Sequence, residues 1–184
     1  MKIYFTRHGQ NDWNAANKVC GANDIPLNET GKLQAEALAL EVANKGDIDI
    51  IVTSPLLRAM ETAEIVSSMI KKPIIVDKRF TEWNYGKYEG VDRHGTYEEG
   101  RLQFQEAKLE FAVRIGETGE SLLQLSHRVY SALDDIKSRL DGNTILIVAH
   151  GGVCRVIETY VHDMSPNDFL GHISKHCVLR CIEL

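Results

Sequence analysis

No apolar run in this chain approaches the roughly 20 residues that a spanning helix requires, so no membrane partner is expected. Cysteine is scarce. Cys20, Cys154, Cys177 and Cys181 contain no Cys-x-x-Cys pair, and in a chain long enough for a substantial core they read as free thiols of a reducing compartment. Positive charge is in deficit, with 21 Lys and Arg against 26 Asp and Glu and a formal net charge of −5. That balance offers no footprint for nucleic acid and leaves any anion affinity to a local cluster of cations. His94, His127, His162, His172 and His176 lack a carboxylate or cysteine partner at ligand spacing, so the expectation is no metal and no cofactor. The stretch from Met1 to His8 meets charge too soon for a secretory signal, which makes the cytoplasm the expected compartment. Internal repeats and low-complexity tracts are also missing.

What is present is the composition of an ordinary globular protein, 43% hydrophobic and 26% charged, and 184 residues fit a single domain spanning 1–184. Strands are predicted at Lys2 to Thr6, Ile48 to Thr53, Ile74 to Val76, Thr144 to Ala149 and, as an edge, Cys177 to Leu184. Asn28 is placed to cap a helix carrying Leu33, Ala37, Leu40 and Ala43, which stops at Gly46. Ser54-Pro55 reads as N-cap and first position of a helix over 56–70, with Leu57, Ala63, Val66 and Ile70 toward the core. A long helix from Ser121 to Leu140 carries Leu122, Leu125, Val129, Leu133 and Ile136; shorter ones are expected at Val153 to Val161 and Pro166 to Leu170. Residues 81–120, charged, aromatic and glycine-containing, with a helical stretch around Tyr97 to Phe111, read as an insertion covering a site. The alternation predicts the α/β class: a three-layer α/β/α sandwich on a mostly parallel sheet, with a small helical or loop cap.

Two of the predicted strands stop at a histidine. The first ends in Arg7-His8-Gly9 and the fourth in His150-Gly151-Gly152. In open α/β sheets ligands bind beyond the carboxyl ends of the strands, where glycines let backbone N–H groups approach an anion, so one shared phosphate site is expected. His8, with a glycine after it, has the ring nitrogen a nucleophile needs. Arg58 falls in the first turn of a helix, where a cation opposes the macrodipole unless an anion is there to meet it. Asn14, in a long loop after the first strand, could donate its amide to a phosphate oxygen or simply make an Asx-turn. Glu82 stands in a loop whose aromatics would exclude water and suits a proton donor, with Glu89 the nearest competitor.

These pieces, namely Arg7-His8-Gly9, Trp13-Asn14 with Gly21, Ser54-Pro55 with Arg58 and Thr62-Ala63, Glu82 with Gly86 and Glu89-Gly90, Gly119-Glu120-Ser121 and Ala149-His150-Gly151-Gly152, together resemble the histidine phosphatase superfamily in its phosphoglycerate mutase-like branch. The resemblance runs over about residues 3–158. It implies that His8 is phosphorylated, that Arg7, Arg58 and His150 hold the phosphoryl oxygens, with Asn14 and Gly151 as further phosphate contacts, and that Glu82 protonates the leaving oxygen. Catalytic roles thus fall on His8, Glu82 and His150. The substrate expected is a small phosphorylated metabolite, with a homodimer left open. Lys18, where the family often has arginine, and Cys20 before Gly21 depart from the pattern and bear on substrate contacts. Tyr85, Lys87, Arg93 and His94 are candidates for selecting the rest of the substrate, against a solvated face as the plainer reading. The segment Asn84-Tyr85-Gly86-Lys87 lacks the Arg-His-Tyr-Gly element of the family's mutases, and Gly86-Lys87-Tyr88-Glu89-Gly90 is similar to the shorter run of its phosphatases. Hydrolysis is therefore favoured over phosphoglycerate mutase-type phosphoryl transfer and over a non-catalytic phospholigand-binding module, since a pure binder has no use for a proton donor.

Overall fold

The computed structural model describes residues 1–92, 111–171 and 174–184. Its elements run β1 (Lys2–Arg7), α1 (Asp12–Ala15), α2 (Glu29–Lys45), β2 (Ile50–Thr53), α3 (Leu57–Ile70), β3 (Ile74–Val76), two 3-10 turns (Lys78–Phe80 and Gly86–Tyr88), α4 (Leu122–Arg139), β4 (Ile145–Ala149), α5 (Gly151–Thr159), α6 (Pro166–Gly171) and β5 (Arg180–Glu183). The strands lie in the order β3-β2-β4-β1-β5, parallel except for the antiparallel edge β5. No helix among the described residues is long and apolar enough to cross a membrane.

The period-2 geometry of the strands sends alternate residues to opposite faces, and this sorts the core into two clusters. Ile3, Phe5, Ile145 and Ile147 pack with Leu125, Val129, Leu133 and Ile136 of α4 and Val153, Val156 and Ile157 of α5. Tyr4, Leu146 and Val148 pack with Leu38, Ala39 and Val42 of α2 and Ala59, Ala63 and Val66 of α3. Helices on both faces of one sheet make the expected three layers, and each large side chain so buried contributes about 1.5–3 kcal/mol of transfer free energy.

The helices follow the predicted caps with two differences. Asn28 accepts the Gly31 N–H at 2.9 Å and Gly46 closes α2 in the left-handed region, as expected. The buried stripe of α2 is not Leu33, Ala37, Leu40 and Ala43, however; Leu33 and Leu40 are 66% and 57% exposed, and the inward face is Ala35, Leu38, Ala39 and Val42. Both stripes have helical spacing. Each holds two alanines, and the one that faces inward is the one α2 turns onto Ala59, Ala63 and Val66 of α3 and Tyr4, Leu146 and Val148 of the sheet. In α3 itself, Leu56 is the N-cap and has no side-chain cap bond, so Pro55 precedes the helix. Ser54 Oγ does accept the Leu56 N–H at 3.3 Å, and Asp24 Oδ1 accepts that of Leu57 at 2.6 Å. Leu57, expected inside, is 44% exposed, while Arg58 takes the buried position beside it. At α4 Ser121 caps with Gln124 in a reciprocal box, and the predicted stripe is buried apart from half-buried Leu122. Helix α5 starts two residues earlier than predicted, at Gly151. Most of the helical stretch expected over 97–111 lies outside the described residues.

Register sets the site. Arg7 pairs with Ala149, so β1 and β4 end level and His8 and His150 emerge together, while Thr53 pairs with Val148, so β2 ends one residue short and sets Ser54 level with Ala149, in reach of the His150 ring. The helix after β1 packs on one face of the sheet and the helix after β4 on the other, which opens the crevice between these two strands at their carboxyl ends.

Candidate active site

His8 is 2% exposed, and its protonation is legible from its partners. Nδ1 lies 2.6 Å from the Gly9 carbonyl oxygen, which can only accept, so Nδ1 carries the proton. Nε2 is then the lone-pair nitrogen, and the Arg58 Nε–H donates to it at 3.1 Å. The backbone behind His8 is held by backbone contact: a Cβ on Gly9 would stand 2.3 Å from the Gly31 carbonyl oxygen, so only glycine lets the α2 N-terminus close on this turn. Thr62 Oγ1 accepts the Gly9 N–H at 3.1 Å and donates to the Arg58 carbonyl at 2.7 Å, tying the turn to α3.

The Arg58 guanidinium is fully buried and held on three sides. Besides His8 it donates through Nη1 to the Asn23 carbonyl and through Nη2 to the Gly21 carbonyl, both at 2.7 Å. Its misplacement in the first turn of α3 is thereby explained by fixed acceptors and by the site it serves. His150 is fully buried with Nε2 at 2.8 Å from Ser54 Oγ, leaving its buried Nδ1 without a hydrogen-bond partner. The His8 and His150 rings meet edge to face with centroids 5.1 Å apart. Arg7 donates from Nη1 to the Ser174 carbonyl at 3.0 Å.

Glu82 is 6% exposed; Oε1 accepts the Trp83 N–H at 2.9 Å and the Gly152 N–H at 3.1 Å, and Oε2 accepts the latter at 3.2 Å. A Cβ on Gly152 would come within 2.6 Å of Oε1, so glycine is needed for this approach. Arg7 Nε and Glu82 Oε2 each lie 3.8 Å from the point where a Gly151 Cβ would stand, so Gly151 presents an open face to both. Glu89 is occupied elsewhere. Its carboxylate accepts the Ala22 N–H at 2.8 Å, the Asn23 N–H at 3.0 Å and the Tyr85 N–H at 3.1 Å, bracing the loop that holds Arg58.

The structure thus brings together Arg7, His8, Arg58, Glu82, His150 and Gly151. Asn14 is different: it sits in α1, where Asn11 makes the Asx cap onto its N–H at 2.8 Å, and among the described residues no hydrogen bond ties its side chain to the histidines or Arg58. Tyr85 is 3% exposed against Trp83, with ring centroids 5.5 Å apart, and so cannot select substrate. Lys87 pairs with Glu117 at the surface; Lys18 is exposed in an isolated bridge to Asp92; Cys20 is buried and accepts from Asn11 Nδ2 at 3.4 Å. Arg93 and His94 lie outside the described residues.

Three contributors escaped the sequence reading. Ser54, read as a cap and quoted in the motif with Arg58 but given no role at the site, holds His150. Arg128 of α4 donates to the carbonyls of Arg79 and Thr81, each at 2.6 Å, and of Glu82 at 3.1 Å, while paired with Glu120 at 2.7 Å; it fixes the backbone under the carboxylate. His176, given no role, donates from Nδ1 to the His8 carbonyl at 2.7 Å and lies 5.4 Å from the His8 ring. Only the Glu120 of the quoted motif pointed toward this network; nothing local marks the other ends.

Burial above all, and then Arg58 and Arg7, holds His8 and His150 well below the usual histidine pKa, with the neighbouring imidazoles adding at His8 and Arg128 at His150; burial and Arg7 bring His176 to about 4. The unfolded chain therefore binds protons below about pH 6.5 that the folded chain refuses, and stability falls as pH drops through that window. Between pH 7.5 and 5, His176 alone should account for about 2 kcal/mol of lost stability, with His8 and His150 adding in the same direction. Urea midpoints at the two pH values check this; equal midpoints would contradict it.

Comparison with known proteins places the chain in a family. The family model described as histidine phosphatase superfamily (branch 1) matches residues 3–184. A Bacillus subtilis protein named an uncharacterized phosphatase, PhoE, is 34% identical over 164 residues, covering 89% of this chain and 79% of that protein. A 2,3-bisphosphoglycerate-dependent phosphoglycerate mutase of Lachnoclostridium phytofermentans is 29% identical over 201 residues, covering 92% of this chain and 81% of its own. The solved structure of Bacillus stearothermophilus YhfR superposes with a TM-score of 0.88 at 28% identity, covering all of this chain and 91% of that one.

Proposed function

The chain belongs to the histidine phosphatase superfamily, branch 1, and from that premise we propose that it is a histidine acid-type phosphatase hydrolysing small phosphate monoesters through a phosphohistidine on His8. The observation that carries this reading is the state of His8: a buried, neutral imidazole whose proton is parked on Gly9 and whose free lone pair faces a fixed guanidinium. In the first step Nε2 attacks phosphorus and the bond from phosphorus to the ester oxygen breaks. As the lone pair is consumed, the Arg58 Nε–H turns from the ring to a phosphoryl oxygen while its other two donors stay anchored. Arg7 and His150 Nδ1 are the other donors for the equatorial oxygens, where charge resides in phosphoryl transfer.

Glu82, in its carboxylic acid form, gives its proton to the departing oxygen from Oε2, the oxygen less engaged by backbone N–H groups. In the second step the resulting carboxylate takes a proton from water as that water attacks phosphorus; the phosphorus–nitrogen bond breaks and phosphate leaves. The residues 81–120 would act as a cap over this site, within one domain.

Labelled p-nitrophenyl phosphate tests the reading. Acid-labile, base-stable label should appear on His8, and in Glu82→Gln it should accumulate because the second step slows by about 10²- to 10⁴-fold, the usual weight of a general acid–base group. A label elsewhere, or none under single turnover, would refute the phosphohistidine. A mutase reading is favoured by the name of the Lachnoclostridium relative, but the segment after Glu82 lacks the mutase element; it predicts primer-dependent exchange between phosphoglycerates, and the present reading predicts hydrolysis without exchange.

A further inference from the structure

We propose that His176 is a third imidazole of the anion cradle, which takes up a proton when a phosphoryl dianion enters and then donates Nε2–H toward it. The proposal deepens the phosphatase reading, resting on its assignment of the anion to the site of Arg7, Arg58 and His150.

The geometry begins with the backbone. The Cys177 N–H donates to the Arg7 carbonyl at 2.9 Å and Cys177 adopts φ 53°, a left-handed conformation that costs a non-glycine residue energy and fixes the turn carrying His176. His176 thus bridges to Arg7 in parallel register and places its ring 5.4 Å from that of His8. The ring orientation is set, since Nδ1 must carry a proton to donate to the His8 carbonyl at 2.7 Å. Nε2, on the opposite edge, makes no hydrogen bond among the described residues and in the neutral ring offers only a lone pair. A neutral ring of this tautomer has nothing to give an anion; the protonated ring has a charge-assisted donor.

The groups that bear on it are Arg7 and the His8 ring from β1, and Lys175 and Cys177 beside it in the chain. Burial and then Arg7 oppose its charge, while the bond to the His8 carbonyl favours it. A dianion on Arg7 cancels that repulsion and adds its own attraction to set against burial, so arrival of the anion favours the charged ring. His176 also differs from the other two imidazoles in being only partly buried, which lets a proton come from solvent where His8 and His150 are sealed. The consequence is anion binding that strengthens as pH falls below neutrality, through a residue that never bonds to phosphorus.

Sulfate tests this without turnover, because it remains a dianion throughout the range and any proton taken up enters the protein. Titration calorimetry at pH 6 in two buffers of different ionisation enthalpy should show proton uptake by the native chain, and clearly less uptake by His176→Asn, whose amide can still donate to the His8 carbonyl. The variant should bind sulfate about tenfold more weakly at pH 6, with affinities converging by pH 8, as expected for loss of one charge-assisted donor. Equal uptake, or a ratio of affinities that is the same at both pH values, would overturn the proposal and leave His176 a structural brace. Failure of the phosphohistidine reading looks different: His8→Ala would keep its turnover, while the sulfate titrations would still report on His176.

Discussion

His8→Ala is expected to lower phosphate release from p-nitrophenyl phosphate by about 10⁴-fold or more, the scale on which removal of a covalent nucleophile acts. No neighbour can replace it. His150 is tied through Nε2 to Ser54 Oγ and His176 through Nδ1 to the His8 carbonyl, so neither ring is held where the His8 Nε2 stands. Residual activity in the variant would come from Arg7, Arg58 and Glu82 acting on water directly, which lacks the two-step route. The fold should survive, since the loop is held by Gly9 against Gly31 and by Thr62 rather than by the ring. Turnover, a thermal melt and sulfate affinity, measured together, separate lost chemistry from lost structure. Turnover within tenfold of the native chain would remove the covalent mechanism.

Arg58→Lys should be nearly as damaging, with kcat down about 10³-fold and stability lower by about 2–5 kcal/mol, because a compact ammonium cannot reach three acceptors spread around a planar fork. The guanidinium holds His8 Nε2, the Asn23 carbonyl and the Gly21 carbonyl at once, and it is wholly buried. Lysine would leave at least one buried carbonyl without a donor and would not present a planar fork to a phosphoryl group. Glu89→Gln is the control, since Glu89 braces the same loop through Ala22 and Asn23 without approaching His8. Urea midpoints should fall in both variants, but kcat should collapse only in Arg58→Lys. Equal losses of kcat would mean that Arg58 merely holds the loop.

Much of this was legible before any coordinates. The strand-terminal histidines, the odd placement of Arg58, the capping of α2 and the extent of α4 are local features, and local rules read them correctly. Which stripe of α2 faces inward was not legible: Leu33, Ala37, Leu40 and Ala43 fit a helical period as well as Ala35, Leu38, Ala39 and Val42 do, and only the docking of α2 on α3 and the sheet decides between them. Tyr85 misled for a related reason, since an aromatic in a loop says nothing of which way it turns. The choice between Glu82 and Glu89 is made by backbone donors on distant segments, Gly152 for one and Ala22 for the other.

The amino-acid sequence by itself determined the alternation of strand and helix and the chemical kinds gathered for one anion: imidazole, guanidinium and carboxyl. It could do so because periodicity, caps and residue types are properties of short stretches. Only the tertiary structure decided the tautomer of His8, the bracing of Glu82 by Arg128 and the arrival of His176 beside the nucleophile. Each of these depends on a hydrogen bond or ring contact whose partner is set by the level endings of β1 and β4 and by the packing of α4, α5 and β5 around them, and no stretch of chain carries that information alone.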